Sequence, residues 1–456
     1  MRIRRNILPL ALLLWGLLLP VVPGWAVEAG GPPPASFTLR EALRFALANS
    51  PDGAIARQRL RAAQSAIELA RSSSRPQLSI SSQYSQTDAP MYSFGNILNQ
   101  GEFSNQINFN DPGRTDSLNA GVEVGLRLYD GGRDQAGVRA AASQADAAHQ
   151  DLAAVQARLA FEVARAFAAI VQAQEVVTAN QSAVGAAAAS LKVAQARQEA
   201  GVLLADAVLD LKVQRAQAEE GLIRAQQGLR VARKVFFTLL GIGRGPAEVR
   251  IEPGPGEVPP PEGAAGQRFE LKALDAQIKS AEAQVRQSRA GLYPAVDGFA
   301  SYQAEYGSIT GGSGNAWQAG VKMRYPLSDG GRTQAEIAGS EARLEELRVQ
   351  RRKLELGIDL EVEQARAALK EADERLRVTG ETVAQAKASA EINRARFGEG
   401  VALSSDLIAA ENRLTGARVS RATATAGRQV AIAELRQALG LPQFDDLPSE
   451  EAPTGK

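Results

Sequence analysis

The chain has 456 residues, with 52 Lys and Arg against 51 Asp and Glu, and no cysteine. So even a balance supplies no extended positive field for nucleic acid or another polyanion. The missing thiols exclude disulfides and a lipid-modified N-terminus, leaving stability to packing and assembly. Residues 1–26 read as a secretory signal peptide: Arg2, Arg4 and Arg5 precede an apolar run from Ile7 to Leu19, and Gly24 and Ala26 are the small residues of a cleavage site. An uncleaved anchor is the competing reading, but the run is short against the ~20 residues of a spanning helix. No other segment is as long and apolar, so any membrane span of the mature chain must be built from strands.

Residues 27–242 form a first repeat. A helix is expected from Leu39 to about Ser73, then strands over about 77–88, opening after Pro76, and 116–129. The intervening 86–116, with Asn110-Asp111-Pro112-Gly113 and no long apolar run, is expected to be an extracellular loop. After the turn Asp130-Gly131-Gly132, a long helix is expected over about 131–200, proline-free from Asp134 and dominated by Ala, Gln, Arg, Glu and Leu. At 1.5 Å per residue it is ~100 Å long, beyond any compact domain. Gly201-Val202 reverse the chain into a shorter helix, 203–240. Residues 243–267 are a Pro/Gly-rich connector. The second repeat, 268–441, has the same grammar: a helix, strands over about 295–306 after Pro294 and 316–327, the turn Asp329-Gly330-Gly331, a long helix over 331–399, the tip Gly400-Val401 and a helix over 402–439. Leu344, Leu347, Leu354 and Ile358 have heptad-like spacing, which suits lateral coiled-coil packing. A polar tail, 442–456, follows.

The duplication is written in fixed offsets. Asp130-Gly131-Gly132-Arg133 recurs 199 residues later as Asp329-Gly330-Gly331-Arg332, and Gly201-Val202 and Leu240-Gly241 recur as Gly400-Val401 and Leu439-Gly440 at the same offset. Upstream, Pro76 matches Pro294 and Tyr84 matches Tyr302 at an offset of 218. The difference places an insertion in the first repeat between about 86 and 116.

The strands alternate at period two. Leu118, Ala120, Val122, Val124, Leu126 and Leu128 oppose Asn119, Glu123 and Arg127, and Trp317, Ala319, Val321, Met323, Tyr325 and Leu327 oppose Gln318, Lys322 and Arg324. Segments of ~10 residues with one apolar and one charged face suit a lipid-facing barrel with a wet lumen. An ordinary half-buried sheet in a soluble protein has the same alternation. Four strands cannot close a barrel, for which about eight is the minimum, and open edges in hydrocarbon leave backbone groups unpaired. Strands that span lipid here must therefore be shared between copies, and three copies supply twelve.

These motifs together resemble the TolC-like outer-membrane efflux proteins over essentially the whole mature chain. The resemblance is carried by the strand starts at Pro76 and Pro294, the turns Leu128-Tyr129-Asp130-Gly131-Gly132-Arg133 and Leu327-Ser328-Asp329-Gly330-Gly331-Arg332, the tips at Gly201 and Gly400, and the helix ends at Leu240-Gly241 and Leu439-Gly440. It implies a mainly α chain with a small β part, one third of a homotrimer. Its twelve-stranded outer-membrane barrel continues into a long periplasmic α-helical barrel. It implies passive conduction from an inner-membrane transporter, joined through a periplasmic adaptor docking at the tips around Gly201, Val202, Gly400 and Val401. Family members close the periplasmic end with acidic side chains six and nine positions past the tip glycine. Asp406 is six past Gly400, but Ala409 stands at nine; in the first repeat Ala207 stands at six, beside Asp206, and Asp210 at nine. Asp406, Asp210 and Asp206 are the gate candidates, and a solvated or helix-capping carboxylate is the alternative for Asp406.

The sequence offers little chemistry. His149 is the single histidine, set mid-helix, and with no Cys and 3 Met there is no soft-metal site. Gly311-Gly312-Ser313-Gly314 lies between strands and reads as a loop, not a phosphate cradle. No enzyme activity and no cofactor are expected. The competing function is a non-channel periplasmic coiled-coil structural or adaptor protein.

Overall fold

Prolines and glycine pairs set the element boundaries. The computed structural model describes residues 37–243, 259–261, 263 and 266–444. The expected signal peptide, most of the connector and the tail beyond residue 444 lie outside them. The first repeat runs α1 (Leu39–Asn49), α2 (Pro51–Ser72), β1 (Gln77–Thr87), α3 (Pro90–Asn99), β2 (Thr115–Tyr129), α4 (Arg133–Glu199) and α5 (Ala205–Leu239). The second runs α6 (Phe269–Arg289), a 3₁₀ turn (Ala290–Leu292), β3 (Ala295–Tyr306), β4 (Ser313–Arg324), α7 (Arg332–Glu399) and α8 (Ser404–Ala438).

Three of these elements differ from the sequence reading. The single helix expected from Leu39 to Ser73 is two, because Ser50 ahead of Pro51 is held extended at ψ 135° and its hydroxyl accepts from the Asp52 N–H. The loop 86–116 contains the ten-residue α3, opened by Pro90 at its first position. The strand expected over 316–327 runs instead over Ser313–Arg324, since Pro326 has no N–H to donate and Leu327 is 91% exposed.

α1 starts with a capping box: the Thr38 hydroxyl accepts from the Glu41 N–H at 3.2 Å while the Glu41 carboxylate accepts from the Thr38 N–H at 2.9 Å. α1 and the C-terminal end of α5 meet against the middle of α4. There Phe37, Leu43, Val163, Ile170, Phe236 and Leu240 form a core in which each is fully buried, each stabilising by about 1.5–3 kcal/mol. Gly241, at φ 76°, lies so close to α1 that a Cβ would stand 2.8 Å from the Asn49 carbonyl oxygen. α5 and the α1–α2 pair thus lie end to end along the one long helix.

The two long helices differ in cover. α4 packs against α1, α2, α5, α6 and α8, whereas α7 packs against α6 and α8. Eighteen residues of α4 are buried, mostly alanines that allow close approach, but only five of α7, so among the described residues one helix is interior and its repeat mate is largely exposed. Val349, Leu356, Leu360 and Ile392 of α7 are each more than half exposed.

The four strands form one antiparallel sheet in the order β1-β2-β3-β4, leaving β1 and β4 as edges. Register aligns side chains across all four strands. Ile80, Val122, Tyr302 and Trp317 form one row, and Leu78, Val124, Ala300 and Ala319 another, on one apolar face. On the other face Ser79, Glu123, Ser301 and Gln318 align, as do Arg127, Asp297 and Lys322. A bulge between Arg127 and Tyr129 adds Leu128 to β2, so the alternation expected through Leu128 stops at Arg127. The duplication holds at this level too: Ser81 pairs with Gly121, and their repeat mates Phe299 and Gly320 pair in turn.

Candidate functional site

Each strand pair is joined to its long helix by the same turn. Gly131 and Gly132 have φ 68° and 84°, and Gly330 and Gly331 have 68° and 86°, a left-handed path that glycine takes without Cβ strain. That path points the preceding aspartate back at the new helix. Asp130 accepts from the Gly132 N–H at 3.0 Å and the Asp134 N–H at 2.7 Å. Asp329 accepts from the Gly331 N–H at 3.0 Å and the Thr333 N–H at 2.9 Å. A carboxylate over free N–H groups at a helix start is favoured by hydrogen bonding and by the helix dipole. The Thr333 side chain and N–H, with the Gly331 N–H, hold the Asp329 carboxyl below the usual range. Burial, and then the charge of Asp130, push the Asp134 carboxyl up against the pull of Arg127 3.3 Å away. Pro76 and Pro294 immediately precede the first residues of β1 and β3.

At the opposite ends of the long helices the two tips meet. Gly201 (φ 74°) and Gly400 (φ 85°) reverse the chain, and the Val202 and Val401 N–H groups donate back to the Arg197 and Arg396 carbonyls at 3.0 and 2.9 Å. Leu191, Ala194, Val208, Leu211, Phe397 and Leu407 form a small core that joins both repeats. Arg197 donates across it to the Phe397 carbonyl oxygen and lies 5.7 Å from the Phe397 ring centroid. Arg394 and the buried Glu411 make a two-bond ion pair between α7 and α8, with Nη2 to Oε2 at 2.8 Å, and Gln214 donates to Asn412 at 2.7 Å between α5 and α8.

The sequence-expected site residues sit around this core and not in it. Val202 and Val401 are 62% and 76% exposed, so the tips present apolar side chains outward. Asp206, Asp210 and Asp406 are exposed. Asp206 accepts from the adjacent Ala207 N–H at 2.8 Å. Asp210 receives the Ser404 hydroxyl at 3.4 Å, which brings it to the start of α8, two residues before Asp406. The first repeat's acid at nine and the second repeat's acid at six therefore face the same helix end. Arg197, Phe397, Arg394 and Glu411 were not singled out from sequence: each is an ordinary helix-face residue until the tips are apposed. Among the described residues no three His, Asp or Glu side chains gather as a metal site, and no helix is long and apolar enough to cross a membrane.

A sheet with one apolar and one polar face, joined by aspartate-capped turns to paired ~100 Å helices, is matched by the outer membrane efflux protein family over residues 42–241 and 261–441. The chain belongs to that family. Protein CyaE of Bordetella pertussis is 31% identical over 338 residues, covering 70% of this chain and 67% of that protein. A membrane protein from Pseudomonas aeruginosa shares the fold at TM-score 0.75 and 20% identity, over 88% of this chain and 93% of that one. The outer membrane protein VceC of Vibrio cholerae does so at TM-score 0.72 and 20% identity, over 89% and 97%. This outer membrane efflux protein is thus a mainly α chain of the bacterial outer membrane that extends into the periplasm, an exit duct of an efflux or secretion system.

Proposed function

We propose that three copies close a twelve-stranded barrel in the outer membrane and continue it as a helical barrel through the periplasm. The assembly conducts substrates passively, without catalysis of its own. One observation carries the reading: the four-stranded sheet has one face apolar over its central rows, and among the described residues both its edges, β1 and β4, are unpaired. In lipid each unpaired backbone group costs several kcal/mol, and only closure removes the edges. The bare flank of α7 supports the same assembly, since its repeat mate α4 is covered on the side where α7 is open. In this reading repeats 27–242 and 268–441 are equivalent staves. The exposed tips around Gly201, Val202, Gly400 and Val401 dock a periplasmic adaptor linked to an inner-membrane transporter. Asp406 and Asp210, with Asp206 beside them, line the narrow periplasmic end. Sedimentation equilibrium in detergent tests the assembly: a mass of three chains is expected, and a stable folded monomer would overturn it.

A further inference from the structure

We propose that α3, carried by the 19-residue insertion of the first repeat, narrows the outer mouth of the duct as an apolar constriction separate from the periplasmic tips. The proposal rests on the shared-barrel reading above. Its observation is the face of the sheet that α3 covers. Gly314 pairs with Glu305, and Glu305 with Asn119, so Gly314 belongs to the polar face. A Cβ built on Gly314 would stand 1.9 Å from the Asn99 carbonyl oxygen at the end of α3. Over β2, next to the other edge, Ser93 Oγ lies 3.1 Å from Thr115 Oγ1, and Asn96 donates to the same oxygen at 3.0 Å. Thr115 shares the face of Ser117, whose hydroxyl donates to Glu305 at 2.7 Å. α3 therefore crosses the sheet from the β1–β2 end to β4 on the polar side, which is the lumen of a closed barrel.

The helix is held rigidly there. Gln100 donates to the Asp116 carbonyl at 2.8 Å and receives the Thr310 hydroxyl, while the Asp116 carboxylate takes the Ser308 and Ile309 N–H groups at 3.1 and 2.7 Å. The Phe94 ring of α3 packs against those of Phe103 and Phe109, with the three centroids 4.9 to 6.5 Å apart. Buried hydrogen bonds and ring packing of this kind fix one conformation. Away from the sheet α3 presents Met91, Tyr92 and Leu98, which are 80%, 71% and 48% exposed. Three such ridges around an axis make an apolar ring in an otherwise polar lumen, and such a ring resists ion passage by dewetting.

The chain has no cysteine, so a single introduced thiol is unique. Tyr92→Cys, Gln318→Cys on the polar face and Val321→Cys on the apolar face are compared in planar bilayers, with a bulky methanethiosulfonate added from the extracellular side. Tyr92→Cys channels are expected to lose most of their current, Gln318→Cys channels to lose some, and Val321→Cys channels to lose none. Unmodified Met91→Ala and Leu98→Ala channels are expected to conduct better than wild type. A response at Gln318→Cys with none at Tyr92→Cys, and no gain in the alanine variants, overturns the constriction and leaves the barrel standing. No response at Gln318→Cys, or block through Val321→Cys, overturns the barrel reading and the constriction with it.

Discussion

Replacing Gly131 by alanine separates two ways in which a turn glycine is required. Gly131 and Gly132 both have positive φ, 68° and 84°, so either substitution forces an L side chain into the left-handed region, at about 1–2 kcal/mol. Only at Gly131 is the space also taken. Its Cβ would lie 2.7 Å from the Tyr293 Cβ and 3.0 Å from the Ala290 carbonyl oxygen, whereas nothing lies within 4 Å of a Cβ on Gly132. Tyr293 Cβ and a backbone oxygen cannot swing aside as a flexible side-chain end can, so the chain approaching β3 must shift, adding about 1–3 kcal/mol. Gly131→Ala is therefore expected to cost about 2–5 kcal/mol per chain and Gly132→Ala about 1–2. The assay is the guanidinium midpoint of the detergent-solubilised protein, with the temperature of oligomer dissociation as a second readout. Equal losses in the two variants, or a larger loss in Gly132→Ala, would refute the packing of this turn against the second repeat.

Three further outcomes are expected. If Asp406 and Asp210 line the proposed duct, Asp406→Asn and Asp210→Asn should each weaken cation selectivity and block by a trivalent cation from the periplasmic side, because carboxylates confined near an axis retain counter-cations; unchanged selectivity and block in both would make them solvated helix residues. The depressed Asp329 carboxyl stabilises the fold above the unfolded carboxyl pKa, about 3.9, and that contribution is lost as pH falls through the lower folded value. Thermal unfolding of Thr333→Val should accordingly depend less on pH in the acid range than wild type, and an identical pH profile would count against the cap. Leu211, 1% exposed in the tip core, should cost about 2–5 kcal/mol as Leu211→Ala, with faster amide exchange at both tips; exchange confined to the first-repeat tip would mean that the two do not share a core.

Much of this architecture is legible in the sequence because the repeat states it twice. The offsets of 199 and 218 align the turns, tips and strand starts, and they carry the strand register from one half to the other. Period-two alternation separates the faces of β2 up to the bulge at Leu128, which no periodicity announces, and those of β4 up to Arg324, short of the expected Tyr325 and Leu327. The break at Ser50-Pro51 and the start of α3 at Pro90 were both marked by proline at a first helical position. α3 is only ten residues long and lies in a segment rich in turn formers, so its local signal is weak, and side-chain bonds to the sheet fix it. The tip contacts Arg197–Phe397 and Arg394–Glu411 depend on tertiary apposition, and spacing along one helix cannot express them.

A barrel shared by three copies has a seam where β4 of one copy meets β1 of the next. Within the chain, Glu123 of β2 pairs with Ser301 of β3. Moving that pair forward by 199 and back by 218 gives Lys322 of β4 opposite Gln83 of β1, the two unpaired edges. In one chain these strands are three spacings apart, about 14 Å, too far for a disulfide, which needs Cα atoms within about 7 Å. A Lys322→Cys, Gln83→Cys double variant, oxidised in membranes and run under denaturing conditions, should give covalent species of two and three chains and none larger. A Lys322→Cys, Ser79→Cys variant, displaced along the strand, should crosslink far less. Chains that remain monomeric, or that ladder beyond three, would contradict a closed barrel shared by three copies.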